Sequence, residues 1–197
     1  MTKYDQMDQL LKEHGGYLFS SDITNAGISR TYLAKYVKEN HLEKVAKGIY
    51  IAEDIWPDDL YIVQVCNPKV IFSRETALYL HGLTDREYSE ICVCVPPRFS
   101  QTRLRERGIV VHQERDGIYG LGEMKLKTNY GNTVRTYDKE RTVCDLIKNR
   151  GDFEVQSFQT AMKAFMRDSQ KDMSKLMMYA EKLRIRDEVM KYVEVML

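Results

Sequence analysis

The sequence predicts an α+β fold in two parts: a small helix–turn–helix–hairpin module, then a mixed β-sheet/helix domain with a helical C-terminal end. Three observations carry that expectation. Residues 17–52 read as short helix, tight turn, second helix and small basic hairpin. From position 58 onward apolar runs of strand length appear, Ile91–Val95 above all. From Phe153 the apolar residues recur at helical spacing. A chain of 197 residues can hold one large domain or two small ones, and a hydrophobic share of 43% supplies ample core material.

In order, residues Lys3 to His14 predict a helix with Met7, Leu10 and Leu11 on one face, stopped by Gly15-Gly16. Tyr17-Leu18-Phe19 is a short apolar run, placed to pair as a strand with the hairpin. Ser20 or Ser21 is the expected cap of a brief second helix, with Asp22 in its first turn, Ile23 and Ala26 inward, and Gly27 at its end. Gly27 suits the left-handed backbone of a tight turn. Ser29 is the expected cap of a third helix reaching about Asn40, with Leu33, Tyr36 and Val37 as its apolar stripe and Ile28 as an anchor before the cap. Its other face carries Arg30, Thr31, Ala34, Lys35 and Lys38, nearly one turn apart. Leu42 to Ala52 predicts a β-hairpin with Val45, Ile49 and Ile51 on one face, Lys44 and Lys47 around the tip, and Gly48 in the turn.

This order of elements is that of a winged helix-turn-helix, whose second helix of the pair fits the DNA major groove. Between Ser29 and Tyr50 there are five basic residues (Arg30, Lys35, Lys38, Lys44, Lys47) against two acidic ones (Glu39, Glu43), an excess of +3. A charged helix face is also what an ordinary solvated surface looks like. Lysines on the wing as well as the helix favour a surface that straddles a phosphate backbone. Arg30, Thr31 and Lys35 are the candidates for groove contacts, Tyr32 and Lys38 for phosphate, and Lys44 and Lys47 for the wing.

Glu53 to Asp59, acidic and containing Pro57, reads as the junction, which places a DNA-binding domain at 1–54 and a second domain at 58–197. The sole tryptophan, Trp56, is expected to pack between them. In the second domain Leu60–Cys66 predicts a helix, Val70–Phe72 a short apolar stretch, and Ser73 the cap of a helix ended by Gly82. Ile91–Val95 reads as a central strand closed by Pro96-Pro97, and Ile109–His112, Gly122–Lys127 and Thr133–Tyr137 as further strands, the last two joined by a turn at 129–132. Asp138 caps a helix through Ile147 with Val143, Cys144, Leu146 and Ile147 buried. Three helices follow, Val155–Arg167, Met173–Leu183 and Arg186–Leu197, the last with Val189, Met190, Val193 and Met196 in one stripe. The methionines of this region read as core, or else as an adaptable partner surface.

The net charge of +1 decides nothing globally. No apolar run approaches the ~20 residues that span a bilayer, and the N-terminus lacks the apolar core of a signal peptide, so the chain is expected in the cytoplasm. The four cysteines (Cys66, Cys92, Cys94, Cys144) are then expected as thiols, with Cys92 and Cys94 on one strand face as buried structural groups. No phosphate loop, paired-histidine motif or nucleophile elbow is present, and no cofactor or metal is expected. Asp116, Glu123 and Lys125 form one set that a metal-dependent nuclease could use, although Lys127 extends the same alternation as an ordinary exposed strand would. Arg98, Arg103, Arg105 and Arg107, opposed only by Glu106, are either a solvated loop or additional phosphate contacts.

The run AGISRTYLAKYVKENHLEKVAKGIYI resembles the winged-helix domain of the AbiEi abortive-infection antitoxins, and FSRETALYLHGLTD, ICVCVPPR and TVRTYDKERTVCDLIKNR continue the resemblance in the same order. The resemblance implies an antitoxin of a bacterial type IV toxin–antitoxin pair used in phage defence. It implies a nucleotidyltransferase-like toxin countered without a stable protein complex, and antitoxin activity in the C-terminal domain. It also implies an autorepressor that binds inverted repeats of double-stranded DNA in its own promoter, as a dimer or as two monomers meeting on the operator. No enzymatic activity is implied. A DNA-binding nuclease built on Asp116, Glu123 and Lys125, and a regulator without antitoxin activity, are the alternatives. Asp138, Arg141 and Asp145 are expected to hold their helix onto the sheet.

Overall fold

Thr2 opens the first helix with a capping box: its hydroxyl accepts from the Asp5 N–H, and Asp5 accepts from the Thr2 N–H. This helix is α1 (Lys3–Glu13), in a computed structural model that describes residues 1–196, and side chains as far as residue 195. There follow β1 (Tyr17–Phe19), α2 (Ser20–Asn25), α3 (Arg30–Glu39), β2 (Glu43–Ala46) and β3 (Ile49–Ile51). The three strands make one antiparallel sheet in the order β1-β3-β2, so residues 17–19 do pair with the hairpin. Met7, Leu18, Ile23, Ile28, Leu33, Tyr36 and Leu42 form the core beneath it.

The chain divides into two compact units, Met1–Val63 and a second from Gln64 onward, with the division inside α4 (Asp59–Cys66). The first residues of α4 stay with the first unit for a visible reason. The Asp58 N–H donates to the Tyr17 hydroxyl at 2.9 Å, and the Tyr61 ring meets Tyr17 edge-on with centroids 5.0 Å apart. Trp56 does not pack as expected: it is 78% exposed. Ile55 is the residue of this segment that turns inward, against Gly16.

The second unit adds β4 (Ile71–Phe72), α5 (Arg74–Leu80), β5 (Cys92–Val95), α6 (Thr102–Arg105), β6 (Val110–Gln113), β7 (Glu123–Lys127), β8 (Thr133–Tyr137) and α7 (Lys139–Lys148). A 3-10 turn (Arg150–Asp152), α8 (Val155–Arg167), α9 (Met173–Leu183) and α10 (Arg186–Met196) complete it. Its mixed sheet has the order β6-β5-β4-β8-β7, parallel at β5/β6 and β4/β8 and antiparallel elsewhere. The fold is therefore α+β, with the expected sheet and helical end. β5 is buried throughout, but the two-residue β4 holds the middle of the sheet. The expected helix end at Leu197 and the side chain of Met196 lie outside the described residues. No helix among the described residues is long and apolar enough to cross a membrane.

Several local expectations change. Helix α2 begins at Ser20 itself, because the Ser20 N–H donates to the Gly48 carbonyl of the hairpin, and neither Ser20 nor Ser21 caps it. Ser29 and Ser73 stand at the N-cap positions of α3 and α5, yet neither side chain makes a capping bond. Ala26 is exposed, and Ile28 fills the inward place. Among the methionines only Met162 is fully buried within the helical core; Met166, Met173 and Met177 lie at its margin and Met178 is 44% exposed. Phe158, Phe165, Leu176, Tyr179 and Val189 occupy the centre of the stripe instead.

Arg141 on α7 is the largest fully buried side chain of the protein's described residues. Its Nη1 donates to the carbonyls of Ile118 (2.8 Å) and Leu121 (3.0 Å), and its Nε donates to Asp145 at 3.1 Å. Its guanidinium lies 4.4 Å from the centre of the Tyr137 ring. Gly122 makes room for this: its φ is +79°, and a Cβ there would stand 2.7 Å from Arg141 Cβ. Asp138 caps the helix through the Arg141 N–H and accepts from the Tyr179 hydroxyl of α9 at 2.9 Å. The expected role of Asp138, Arg141 and Asp145 in seating α7 is what the contacts describe. Arg141→Ala should cost about 3–5 kcal/mol in urea unfolding, because it leaves Asp145 and two carbonyls buried without partners. The pair Arg141→Met with Asp145→Leu should cost less than Arg141→Ala alone; an equal or greater loss would mean that packing, not charge, sets the effect.

Candidate nucleic-acid interface

The turn between α2 and α3 is built on Gly27, at φ +70°, and on Ile28, which is buried. From there α3 turns Leu33 and Tyr36 inward. At 3.6 residues per turn, Thr31, Ala34, Lys35 and Lys38 run down the middle of the opposite face, with Arg30 and Tyr32 at its two edges. All six are exposed.

The helix is held from behind by α1. The Tyr36 hydroxyl donates to Asp8 and the Tyr4 hydroxyl donates to Glu39. Burial together with the Asp8 contact pushes the Tyr36 hydroxyl far above its ordinary range, so it stays a donor. Lys35 has a loose partner in Glu39 at 3.6 Å, an exposed i,i+4 pair that contributes little and yields readily to phosphate. Among the described residues Arg30, Lys38, Lys44 and Lys47 have no carboxylate within ion-pair distance. The contacts add one cation that sequence reading missed: Lys3 of α1 lies 4.2 Å from the centre of the Tyr32 ring. No periodicity could have marked it, since only the packing of α1 against α3 brings residues 3 and 32 together.

The wing follows less simply from its sequence. Ile49 and Ile51 are buried, but a bulge between Lys44 and Ala46 leaves Val45 unpaired, and Ala46 stands opposite Ile49. Lys44 faces Tyr50 across the hairpin, and Lys47 lies at the turn itself. Gly48 has φ +75°, and its missing side chain matters: a Cβ there would lie 2.2 Å from Ser20 Oγ. That closeness, with the Ser20 N–H to Gly48 carbonyl bond of 2.8 Å, ties the wing to the start of α2.

In the second unit the arginine cluster gathers around α6. Leu104 is buried and anchors this short helix, while Arg98, Arg103, Arg105 and Arg107 are all exposed. Arg105 is steadied by Gln101 at 2.8 Å. The candidate nuclease set does not assemble. Glu123 commits both carboxylate oxygens to Arg135, at 2.6 and 2.8 Å, and these bonds hold its carboxyl below the ordinary range. Asp116 and Lys125 are exposed, and no group of three or more His, Cys, Asp or Glu able to hold a metal forms among the described residues. Cys92, Cys94 and Cys144 are buried free thiols, Cys94 pushed up to about 11 and Cys144 to about 12 by burial, so they stay protonated and unreactive at neutral pH. Cys66 is exposed.

Gly48→Ala should destabilise the first unit by about 1–3 kcal/mol, through positive φ and the approach to Ser20. In a Ser20→Ala background the cost should shrink, since the contact is relieved while the backbone strain persists. Thermal melts of the four proteins check this, and equal costs in both backgrounds would remove Ser20 from the explanation.

Residues 5–52 match the family model described as "Transcriptional regulator, AbiEi antitoxin". No curated protein matches the chain. Among solved structures the chain is similar to the RV2827C protein from Mycobacterium tuberculosis, with a TM-score of 0.59 and 12% identity over 95% of this chain and 78% of that one. At that identity the likeness shows a shared fold and nothing more. Over residues 5–52, spanning α1 to the end of the wing, the chain matches the AbiEi antitoxin family of transcriptional regulators, the family that its sequence resembles.

Proposed function

We propose that this chain is the antitoxin of a type IV toxin–antitoxin system of the abortive-infection class, acting in phage defence, and that it represses its own operon. In this reading α3 enters the major groove of an inverted repeat in the promoter. Arg30, Thr31 and Lys35 meet base edges or the groove, Tyr32 and Lys38 lie near phosphate, and Lys44 and Lys47 follow the backbone from the wing. Arg98, Arg103, Arg105 and Arg107 supply further phosphate contacts. Two copies occupy the operator, as a weak dimer or as monomers that meet on DNA. Residues 58–197 counter a nucleotidyltransferase-like toxin without forming a stable complex with it. The protein works in the cytoplasm and performs no catalysis of its own.

The observation that supports this reading most is the partition of charge on α3 and the wing. The Tyr4 hydroxyl donates to Glu39 and the Tyr36 hydroxyl to Asp8. On the outer side the exposed basic groups lack acid partners among the described residues, apart from the loose Lys35–Glu39 pair. Counterion release from DNA needs such unneutralised cations.

A gel-shift against the region upstream of the gene tests the repressor. The pair Lys35→Ala with Lys47→Ala should weaken binding and lower the slope of log K against log salt by about one unit per lost phosphate contact. The same full-length variant should lose repression of a promoter fusion yet still rescue cells from the toxin. Unchanged affinity would remove this face from the interface, and loss of rescue in a folded variant would tie antitoxicity to DNA binding.

A further inference from the structure

Among the described residues only two buried side-chain polar atoms lack a hydrogen-bond partner, Ser73 Oγ and His112 Nε2. Buried polar atoms are nearly always paired, so each needs an explanation. Both line the same polar cavity of about 220 Å³ in the second unit, between α7 and the strands β5 and β6. Ser73 is 2% exposed. Its position is that of a helix cap, yet its hydroxyl is not used as one, and α5 is left without a side-chain cap.

The walls are rich in donors. Arg74 sits at φ +51°, a conformation costly for a residue with a side chain, and its Nη1 is held by Asp152 at 2.7 Å. The other edge of the Arg74 guanidinium makes no bond among the described residues. Arg141 Nη2 reaches only Glu114, at 3.8 Å, and Lys148 Nζ reaches the same carboxylate at 3.5 Å. Asp145, the other acid of the wall, is occupied by Arg141 Nε. Three cations stand here with three acids: Asp152 holds one edge of Arg74, Asp145 holds Arg141 Nε, and Glu114 lies at long range from Arg141 Nη2 and Lys148.

We propose that this cavity is a binding site for a small oxyanion, a phosphate free or carried as a phosphomonoester, received by Ser73, Arg74, His112 and Lys148. The Ser73 hydroxyl and the free edge of Arg74 donate to it, Lys148 adds charge, and the His112 ring supplies an N–H in the matching tautomer. The volume exceeds that of a bare phosphate, which leaves room for part of the group that carries it. The assignment is independent of DNA binding.

His112 is a local reporter. Burial first, and then Arg74, lower its pKa to about 4; Asp152 and Glu114 oppose this and Arg105 adds to it. An anion beside Arg74 offsets that charge, so the His112 midpoint should move upward on binding.

The experiment is an NMR titration of the full chain with inorganic phosphate and, separately, with glycerol phosphate, read at the His112 ring and repeated for Ser73→Ala, Arg74→Ala and, as a control on the first unit, Lys47→Ala. We expect a saturable His112 response, about tenfold weaker or more in Ser73→Ala and Arg74→Ala, and unchanged in Lys47→Ala. Tighter binding of the ester identifies a phosphorylated metabolite, and tighter binding of phosphate identifies the free ion. Without ligand, Ser73→Ala should melt no lower than the wild type, because it removes an unpaired buried hydroxyl. A lower melting temperature would mean that the hydroxyl already has a structural partner and would overturn the assignment. So would the absence of saturation with both probes, or affinity untouched by both cavity substitutions.

Discussion

The guanidinium of Arg141 sits fully buried where α7 meets the sheet of the second unit, and a charge in that position is tolerated only when its hydrogen bonds are met. Nearly everything around it serves that need. The chain between β6 and β7 offers the carbonyls of Ile118 and Leu121, Gly122 keeps its backbone close enough to do so, and Asp145 answers the charge one turn along the same helix. Asp138 and Glu140 then carry the polar contacts outward to Tyr179 and to the Asp172 N–H at the start of α9. Apolar packing alone would let a helix slide along a sheet. A satisfied polar joint of this kind admits one register.

The first unit solves a similar problem with tyrosines. Tyr36 and Tyr4 hold α3 against α1 through their hydroxyls, which donate to Asp8 and Glu39. The wing is fixed by backbone instead, through the Ser20–Gly48 bond and the absence of a side chain at Gly48. An interface that reads DNA shape gains from both, since a groove-binding helix and a wing must keep their spacing before the duplex arrives.

Legibility in the sequence varied with the range of the interaction. Gly27, the stripe of Leu33 and Tyr36 and the cap at Asp138 follow from turn chemistry and periodicity, and each is where the residues place it. Ser20 and Ser73 look like caps by the same rules. Neither side chain makes a capping bond: a partner distant in sequence claims the Ser20 N–H and the helix starts at Ser20 itself, while Ser73 holds the N-cap position with its side chain facing a cavity. The bulge that displaces Val45 leaves no mark in an alternating pattern. Glu123 and Lys125 look like part of a metal set until Arg135, on the neighbouring strand, takes both oxygens of the glutamate.

The sequence by itself determined the order and type of most elements, though not the short helix α6, together with the winged-helix reading and the basic face of α3, because these depend on neighbours a few residues apart. Tertiary structure alone decided which charges on that face stay unpaired, that Lys3 joins Tyr32, that Trp56 faces solvent, and that Ser73 and His112 share one cavity. Those outcomes rest on contacts between segments distant along the chain. Such contacts form only when the whole unit closes and each buried polar group has to find, or fail to find, a partner.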